Sequence, residues 1–476
     1  MKKIQHKKNA KKIAVEKVPT YIIGLDEILG GGLPEGKTTV VYGGAGTGKT
    51  VMGLEFIYKG ALAGEPGIFV CFEEKPEQLR KNALTLGWNI KDMEKRNLLF
   101  LYDGEIKPDV LVSGQFSLKG LLAAVAGKAR EIKARRIVID ALDVILRFFD
   151  TPQKIRSEMH LINNWLNSES ITVLMTVRPT KRHDGLVFEE FFESMSDCVI
   201  ILDSRISEQV TTRRVRVAKY RGSDFEKNEY PYVITSSGIK VTPITRVGLM
   251  HKPLGQKIST GIKEFDRILN GGYSKGSCIL IAGQPGSGKT ILSCSFIESA
   301  CRRKEKILYI GFEESEAAVI HNVKSAGISI LPYFKSECLR FITNYPEAMG
   351  AEEHYIRAIE NIDGFKPAHV IVDSISACPR MGGKQAAFEY LMRLLNYCKE
   401  KGITIIMINQ LSGKHDFLEI SGNSISSMID TVIFMDYFEK QGETSRFIHI
   451  LKSRGSGHSN RKHEFQITDN GIKFLD

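Results

Sequence analysis

The sequence predicts an α/β fold built twice in tandem, each copy a mostly parallel sheet flanked by helices. Three observations carry that prediction. Short apolar runs alternate with segments of helical periodicity, the pattern of strands joined by crossover helices. A set of special residues recurs at one fixed separation, so the pattern is present twice. The length of 476 residues fits two or three domains at roughly 100–200 residues each.

The repeat sets the domain organisation. Ile23-Gly24-Leu25-Asp26-Glu27-Ile28-Leu29, with Gly31-Gly32 behind it, returns as residues 262–269 followed by Gly271-Gly272. Asp266 lies 240 positions after Asp26. The same separation relates Lys49 to Lys289, Glu73-Glu74 to Glu313-Glu314 and Gly87 to Gly327. Farther along it becomes 233, taking Asp140 to Asp373 and Lys219-x-Arg221 to Lys452-x-Arg454, as a small deletion in the second copy requires. A period this long makes each copy a whole domain, not a solenoid unit. The expected organisation is a basic flexible arm at 1–17, a first domain at 18–245, a linker at 246–256 and a second domain at 257–476.

Within the first copy, apolar runs at 38–42, 67–72, 136–139 and 171–176 read as buried strands, and 51–63, 118–133 and 154–167 carry helical periodicity. The second copy repeats the strands at 278–282, 307–312, 369–372 and 403–409. Segments 199–202 with 211–220, and 431–437 with 445–453, read as hairpins that add antiparallel strands at one edge of each sheet.

Composition narrows the function class. Hydrophobic residues make up 42% and charged residues 25%, which excludes a disordered or collagen-like chain. No apolar run approaches the ~20 residues that span a bilayer, and no apolar segment follows the lysine-rich start as a secretory signal requires. A cytoplasmic protein without membrane contact is expected. Eight scattered cysteines form no Cys-x-x-Cys pair, and no histidine cluster has ligand spacing; reduced, buried thiols follow, not zinc or disulfides. Seven lysines against Glu16 give the first 17 residues +6 of the net +11, leaving only +5 for the remainder.

Two glycine-rich segments carry the chemistry. Gly43-Gly44-Ala45-Gly46-Thr47-Gly48-Lys49-Thr50 and Gly283-Gln284-Pro285-Gly286-Ser287-Gly288-Lys289-Thr290 both fit the phosphate-binding P-loop, and each follows a predicted strand and opens a helix. Glycines let backbone N–H groups converge on phosphate oxygens, and the helix N-terminus adds a positive dipole end. The expected ATP-binding residues are Gly46, Thr47, Gly48, Lys49, Thr50 and Val51, with Gly286, Ser287, Gly288, Lys289, Thr290 and Ile291 in the second copy. Lys49 and Lys289 neutralise the β- and γ-phosphates, and the Thr50 and Thr290 hydroxyls ligate Mg²⁺. Asp140 and Asp373, each closing an apolar strand, supply the carboxylate that completes the magnesium shell. Glu73-Glu74 and Glu313-Glu314 follow strands beside the P-loop strand, where one carboxylate of each pair can face the γ-phosphate as a base and the other tune it. Lys219-Tyr220-Arg221 and Lys452-Ser453-Arg454 end late strands, with the Lys and Arg at i and i+2 on one side. They could reach a neighbouring subunit's triphosphate.

Together the paired P-loops, the Glu-Glu pairs and the Lys-x-Arg-Gly segments resemble the KaiC family of circadian-clock ATPases, over nearly the whole chain from Val18 onward. The resemblance implies two tandem RecA-like P-loop NTPase domains stacked as rings in a homohexamer, with ATP and Mg²⁺ between subunits. It makes Glu73 and Glu74 the hydrolysis pair of a slow ATPase, and Glu313 and Glu314 the pair of a serine/threonine autokinase that also reverses the transfer. Lys219, Tyr220 and Arg221, and Lys452, Ser453 and Arg454, become contacts to a neighbour's ATP. Ser426 and Ser427 fall at the phosphoacceptor positions, with Ser421 nearby. Their counterparts in the first copy are Glu193 and Ser194, so that domain is not expected to carry a two-site switch. Two departures stand out: Ala326 replaces a family aromatic near the second nucleotide, and the sequence ends soon after the last strand, without the family's partner-binding tail.

Two other classes fit parts of the chain. A RecA-like DNA-handling motor shares the fold and would use the basic arm, but the body has little net charge and no aromatic-interleaved basic stripe, so nucleic acid is not the expected partner. A nucleotide-gated scaffold without kinase activity would display the helix near Phe116 and Leu118 to a small clock-type protein on the first ring.

Overall fold

The computed structural model describes residues 15–104, 118–146, 151–169, 171–178, 195–207, 209–243, 253–411, 427–440 and 442–475. The chain divides into two compact units. Each is organised around a nine-stranded sheet.

In the first sheet the strands run in the order Gly238–Val241, Glu229–Thr235, Val210–Tyr220, Cys198–Ser207, Thr38–Gly43, Thr172–Val177, Arg136–Asp140, Gly67–Cys71 and Leu99–Asp103. The strand that leads into the first P-loop, Thr38–Gly43, is central and pairs in parallel with both neighbours. Pairing stays parallel out to Leu99–Asp103 and is antiparallel among the last three strands of the opposite edge. The second sheet repeats this order: Gly471–Phe474, Lys462–Thr468, Glu443–Ser453, Thr431–Lys440, Cys278–Gly283, Thr404–Gln410, His369–Asp373, Ile307–Gly311 and Leu339–Thr343. Two strands per sheet at the antiparallel edge were not anticipated. In the first of these, Glu229–Thr235, Pro231 interrupts the sequence pattern.

Burial explains the sandwich. In the first sheet Val41, Phe69, Val138 and Leu174 face one apolar cluster, while their strand neighbours Val40, Ile68, Ile137 and Val173 face another. A strand buried on both sides reads as a continuous apolar run, which is why these strands were legible. The helix Leu118–Ile132 presents Leu118, Leu122, Val125, Ala129 and Ile132 to the second cluster at i, i+3 and i+4 spacing. Each fully buried side chain of this size contributes about 1.5–3 kcal/mol, so the sandwich, not helix propensity, fixes the elements.

The repeat extends to buried polar groups. Arg136 is fully buried; its Nε donates to Glu65 at 2.7 Å and its guanidinium carbon lies 4.5 Å from the Phe56 ring centre. In the second domain His369 takes that place, 3.1 Å from Glu305 with its ring against Phe296 at 4.9 Å. All eight cysteines are free; seven are buried and Cys338 is half-buried. No helix among the described residues is long and apolar enough to cross a membrane.

Candidate functional site

Both P-loops run from the end of the central strand into a helix, Lys49–Leu62 and Lys289–Arg302. The residues before the two helices, Gly48 and Gly288, have φ of 86° and 99°. A side chain there is strained, so the loop sequence is needed for the turn itself. Lys49 Nζ donates to Gly44 O at 2.8 Å. Lys289 Nζ donates to the carbonyls of Gly283 and Gln284 at 2.9 and 2.7 Å. Each lysine thus folds over its own loop. Burial pushes the Lys289 amine down to about 8, against the opposing charges of Asp373, Asp436 and Glu313. Lys49 is lowered by burial and then by the charge of Arg178, with Asp140 and Asp143 opposing. An amine lowered by burial gains charge stabilisation when a polyanion arrives.

The Thr and Asp expected to share a metal are in contact in both domains. Thr50 Oγ1 donates to Asp140 Oδ2 at 2.9 Å, and Thr290 Oγ1 to Asp373 Oδ2 at 3.1 Å. Burial raises both carboxyls, partly offset by their hydroxyl partners. A second donor holds each aspartate, from a different strand in each domain. Thr176 Oγ1 donates to Asp140, whereas Tyr309 OH donates to Asp373 at 2.6 Å. The oxygen-only donor set suits Mg²⁺, which takes one or two protein ligands and completes its shell with phosphate and water. No group of three or more His, Cys, Asp or Glu among the described residues could hold a metal.

The Glu pairs follow strands that two others separate from the P-loop strand, a correction to the expectation that they lie beside it, and the two pairs are held differently. Glu73 accepts from Arg178 Nη2 at 3.1 Å through both oxygens. Glu313 accepts from the Ser374 hydroxyl at 2.7 Å and lies 3.7 Å from Arg380. The outer members share one restraint: Asn82 donates to Glu74 at 3.0 Å and Asn322 to Glu314 at 3.3 Å. The two asparagines are themselves 240 positions apart, a repeat signal that sequence reasoning passed over. In the second domain, Lys289, Thr290, Tyr309, Glu313, Glu314 and Asp373 line one cavity of about 230 Å³. Other supports went unanticipated because they are distant in sequence: Tyr437 OH donates to Pro285 O at 3.0 Å, Arg446 Nε to Gly286 O at 3.3 Å, and Tyr232 OH to Thr47 O.

The Lys-x-Arg segments close the strands Val210–Tyr220 and Glu443–Ser453. Arg221 and Arg454 lie one residue beyond, with side chains 55% and 54% exposed, Arg221 3.8 Å from Asp197 and Arg454 3.7 Å from Asp430. Tyr220 corrects the expectation for its side chain. It is buried and donates its hydroxyl to Gly32 O at 2.9 Å, which leaves only its backbone to meet a neighbour. Arg454 Nη2 donates to Ser427 O at 3.0 Å, and its Nη1 lies 3.7 Å from Asp430 Oδ1. Ser427 stands in the turn before the strand Thr431–Lys440. Ser421, Ser426, Glu193, Ser194, Phe116, most of the linker and most of the N-terminal arm lie outside the described residues.

A family model for KaiC ATPases matches residues 18–246 and again 258–476. The circadian clock protein KaiC2 of Synechocystis sp. is 34% identical over 473 residues, covering 98% of this chain and 83% of the relative. The circadian clock oscillator protein KaiC of Thermostichus vulcanus is 34% identical over 464 residues, covering 97% and 89%. Its counterpart from Synechococcus elongatus is 33% identical over 473 residues, covering 98% and 91%. Two P-loops on equivalent central strands, each with its Thr-Asp contact and Glu pair, occupy the two matched stretches: the chain belongs to the KaiC family of ATPases.

Proposed function

We propose that this chain is a Mg²⁺-dependent ATPase that assembles as a homohexamer, hydrolyses ATP in its first domain, and in its second acts as a reversible serine autokinase, forming a phosphorylation-state switch of the clock-signalling kind. The observation that carries the reading is the presence of two complete sites, in each of which a P-loop lysine, a Thr-Asp pair and a Glu pair surround the same strand ends. Mg²⁺ would sit against Thr50 and Asp140, or Thr290 and Asp373, and draw charge from the β- and γ-phosphate oxygens.

In the first domain, Glu73 or Glu74 orients a water against the γ-phosphorus and takes its proton as the bond to the β-phosphate oxygen breaks. In the second, the nucleophile is a serine hydroxyl, Ser426 or Ser427, and Glu313 or Glu314 takes its proton. ADP leaves, and the reverse transfer returns the phosphoryl group to ADP. The Arg454 guanidinium donates to the Ser427 carbonyl, which supports a link between an acceptor and the side chains proposed to grip a neighbour's ATP. Arg221 and Arg454, both half-exposed, fit that role, with Lys219, Lys452 and the backbones of Tyr220 and Ser453. The named relatives are clock proteins, which supports a small clock-type partner on the first ring. The low charge of the body supports neither nucleic acid nor membrane as a partner.

The test follows phosphate from γ-labelled ATP onto the purified protein with Mg²⁺. Label on the wild type that vanishes in S426A/S427A establishes the autokinase and its acceptors. ATP hydrolysis without label on the protein removes the kinase and leaves an ATPase.

A further inference from the structure

Arg178 belongs to none of the motifs above, yet it enters the first nucleotide site. It is the first residue beyond the strand Thr172–Val177, which pairs in parallel with the P-loop strand so that Val177 stands opposite Tyr42. The guanidinium therefore emerges beside the first glycines of the loop. Its backbone N–H donates to Asp143 Oδ1 at 3.1 Å, which fixes the point of departure. Its Nη2 bridges both oxygens of Glu73, and the two side chains are 40% and 34% exposed. The second domain has no cation at this register: Gln410 stands opposite Gly283 and marks the same strand end. There Glu313 is held by a serine hydroxyl and a more distant arginine.

Lys49 and Arg178 thus bring two positive charges toward one loop from the same chain. Asp140 and Asp143 stand against Lys49, and Glu73 holds the Arg178 guanidinium. A half-exposed ion pair is weak, whereas guanidinium and phosphate make forked, charge-assisted hydrogen bonds. A phosphate oxygen brought within reach of the guanidinium would therefore compete with Glu73 for it.

We infer that Arg178 reads the terminal phosphate in cis in the first domain, binding the γ-phosphate of ATP and returning to Glu73 when ADP occupies the site. With ATP bound, the guanidinium leaves Glu73, whose carboxylate is then free to orient water. With ADP bound, the pair re-forms and the carboxylate is held. The inference rests on the nucleotide-site reading proposed above and adds a discrimination between tri- and diphosphate that the second domain lacks.

The experiment uses the full chain carrying K289A, so that only the first site binds, and measures dissociation constants for ADP and for the β,γ-imido analogue of ATP. Arg178→Gln, which installs the side chain found at the second domain's register, is expected to cut the preference for triphosphate over diphosphate about tenfold (about 1.4 kcal/mol), with ADP binding changed less than about twofold. Arg178→Lys restores part of that preference, since it keeps the charge but not the fork. An unchanged preference overturns the inference, and so does an equal weakening of both nucleotides, which marks a structural role. If the Arg178-containing chain binds neither nucleotide, the nucleotide-site reading itself fails, and the inference with it.

Discussion

The carboxylate of Asp430 is the place where a single atom exchange should cost the second domain most. It is 3% exposed. Its Oδ2 accepts from the Cys278 N–H at 2.8 Å and from Lys399 Nζ at 2.8 Å, and its Oδ1 lies 3.7 Å from Arg454. Lys399 is equally enclosed, and its other contact is the Met428 carbonyl at 2.7 Å. Asp430→Asn keeps the shape and an acceptor for Cys278, but leaves a buried ammonium facing a neutral amide. Removing one partner of a buried pair costs about 3–5 kcal/mol. For a domain of some two hundred residues, at about 2–4 °C per kcal/mol, the unfolding midpoint should fall by about 6–20 °C. The assay is thermal unfolding of the full chain, with Asp197→Asn as the control. Asp197 is the equivalent residue; its described ion pair is a 3.8 Å contact with the half-exposed Arg221, worth under about 1 kcal/mol. Adding Lys399→Met to Asp430→Asn should recover most of the loss, because both charges are then gone and the aliphatic stem is replaced. A single variant as stable as wild type, or a double variant no better than the single, would refute the reasoning.

Two further outcomes follow from the contacts. Tyr309→Phe removes a donor from Asp373, and Thr176→Val removes one from Asp140; loss of such supporting bonds typically lowers metal affinity or activity about 10–100-fold, so each should depress turnover only in its own domain, read by pairing it with K49A or K289A. In the second domain, burial lowers the pKa of both His354 and His369. The unfolded chain then binds more protons than the folded one, so stability is full above about pH 6.5 and is lost as pH falls through that value, at up to about 1.4 kcal/mol per pH unit for each histidine. Urea midpoints at pH 7.5 and 5.5 should show that fall, and His354→Gln should shrink it; a pH-independent midpoint would contradict the burial argument.

What the sequence made legible was local. Lys49, Thr50 and the glycines before them are neighbours in the chain, and a P-loop requires them at fixed spacing. Asp140 and Asp373 were found because an aspartate ending an apolar run marks a strand terminus. Continuous apolar runs made 38–42 and 278–282 visible as buried strands. What escaped was set by strand order. Arg178 meets Glu73, and Tyr309 meets Asp373, only because particular strands lie side by side in the sheet, which no spacing in the chain encodes. Asn82 and Asn322 are the instructive case. Their separation of 240 was available, but a lone asparagine on a helix has no chemistry of its own until a carboxylate is seen eight residues before it, turned toward it. Tyr220 shows a further limit: its place in the motif was legible, but the burial of its side chain against Gly32 was not.

The crossed support of the two aspartates has a genetic consequence. Phe69 and Tyr309 occupy the same place on equivalent strands, opposite Val138 and Ile371. Thr176 and Ile408 likewise share a place, opposite Val41 and Ile281. Each half of the gene therefore carries one donor and one blank, in opposite arrangement. A conversion tract that copied one repeat over the other and ended between these two strands would leave its aspartate either without its second hydroxyl or with two where one now stands. Tandem repeats normally invite such exchange and are homogenised by it. Here the side chains around a single carboxylate penalise partial exchange, and so favour keeping the two halves distinct.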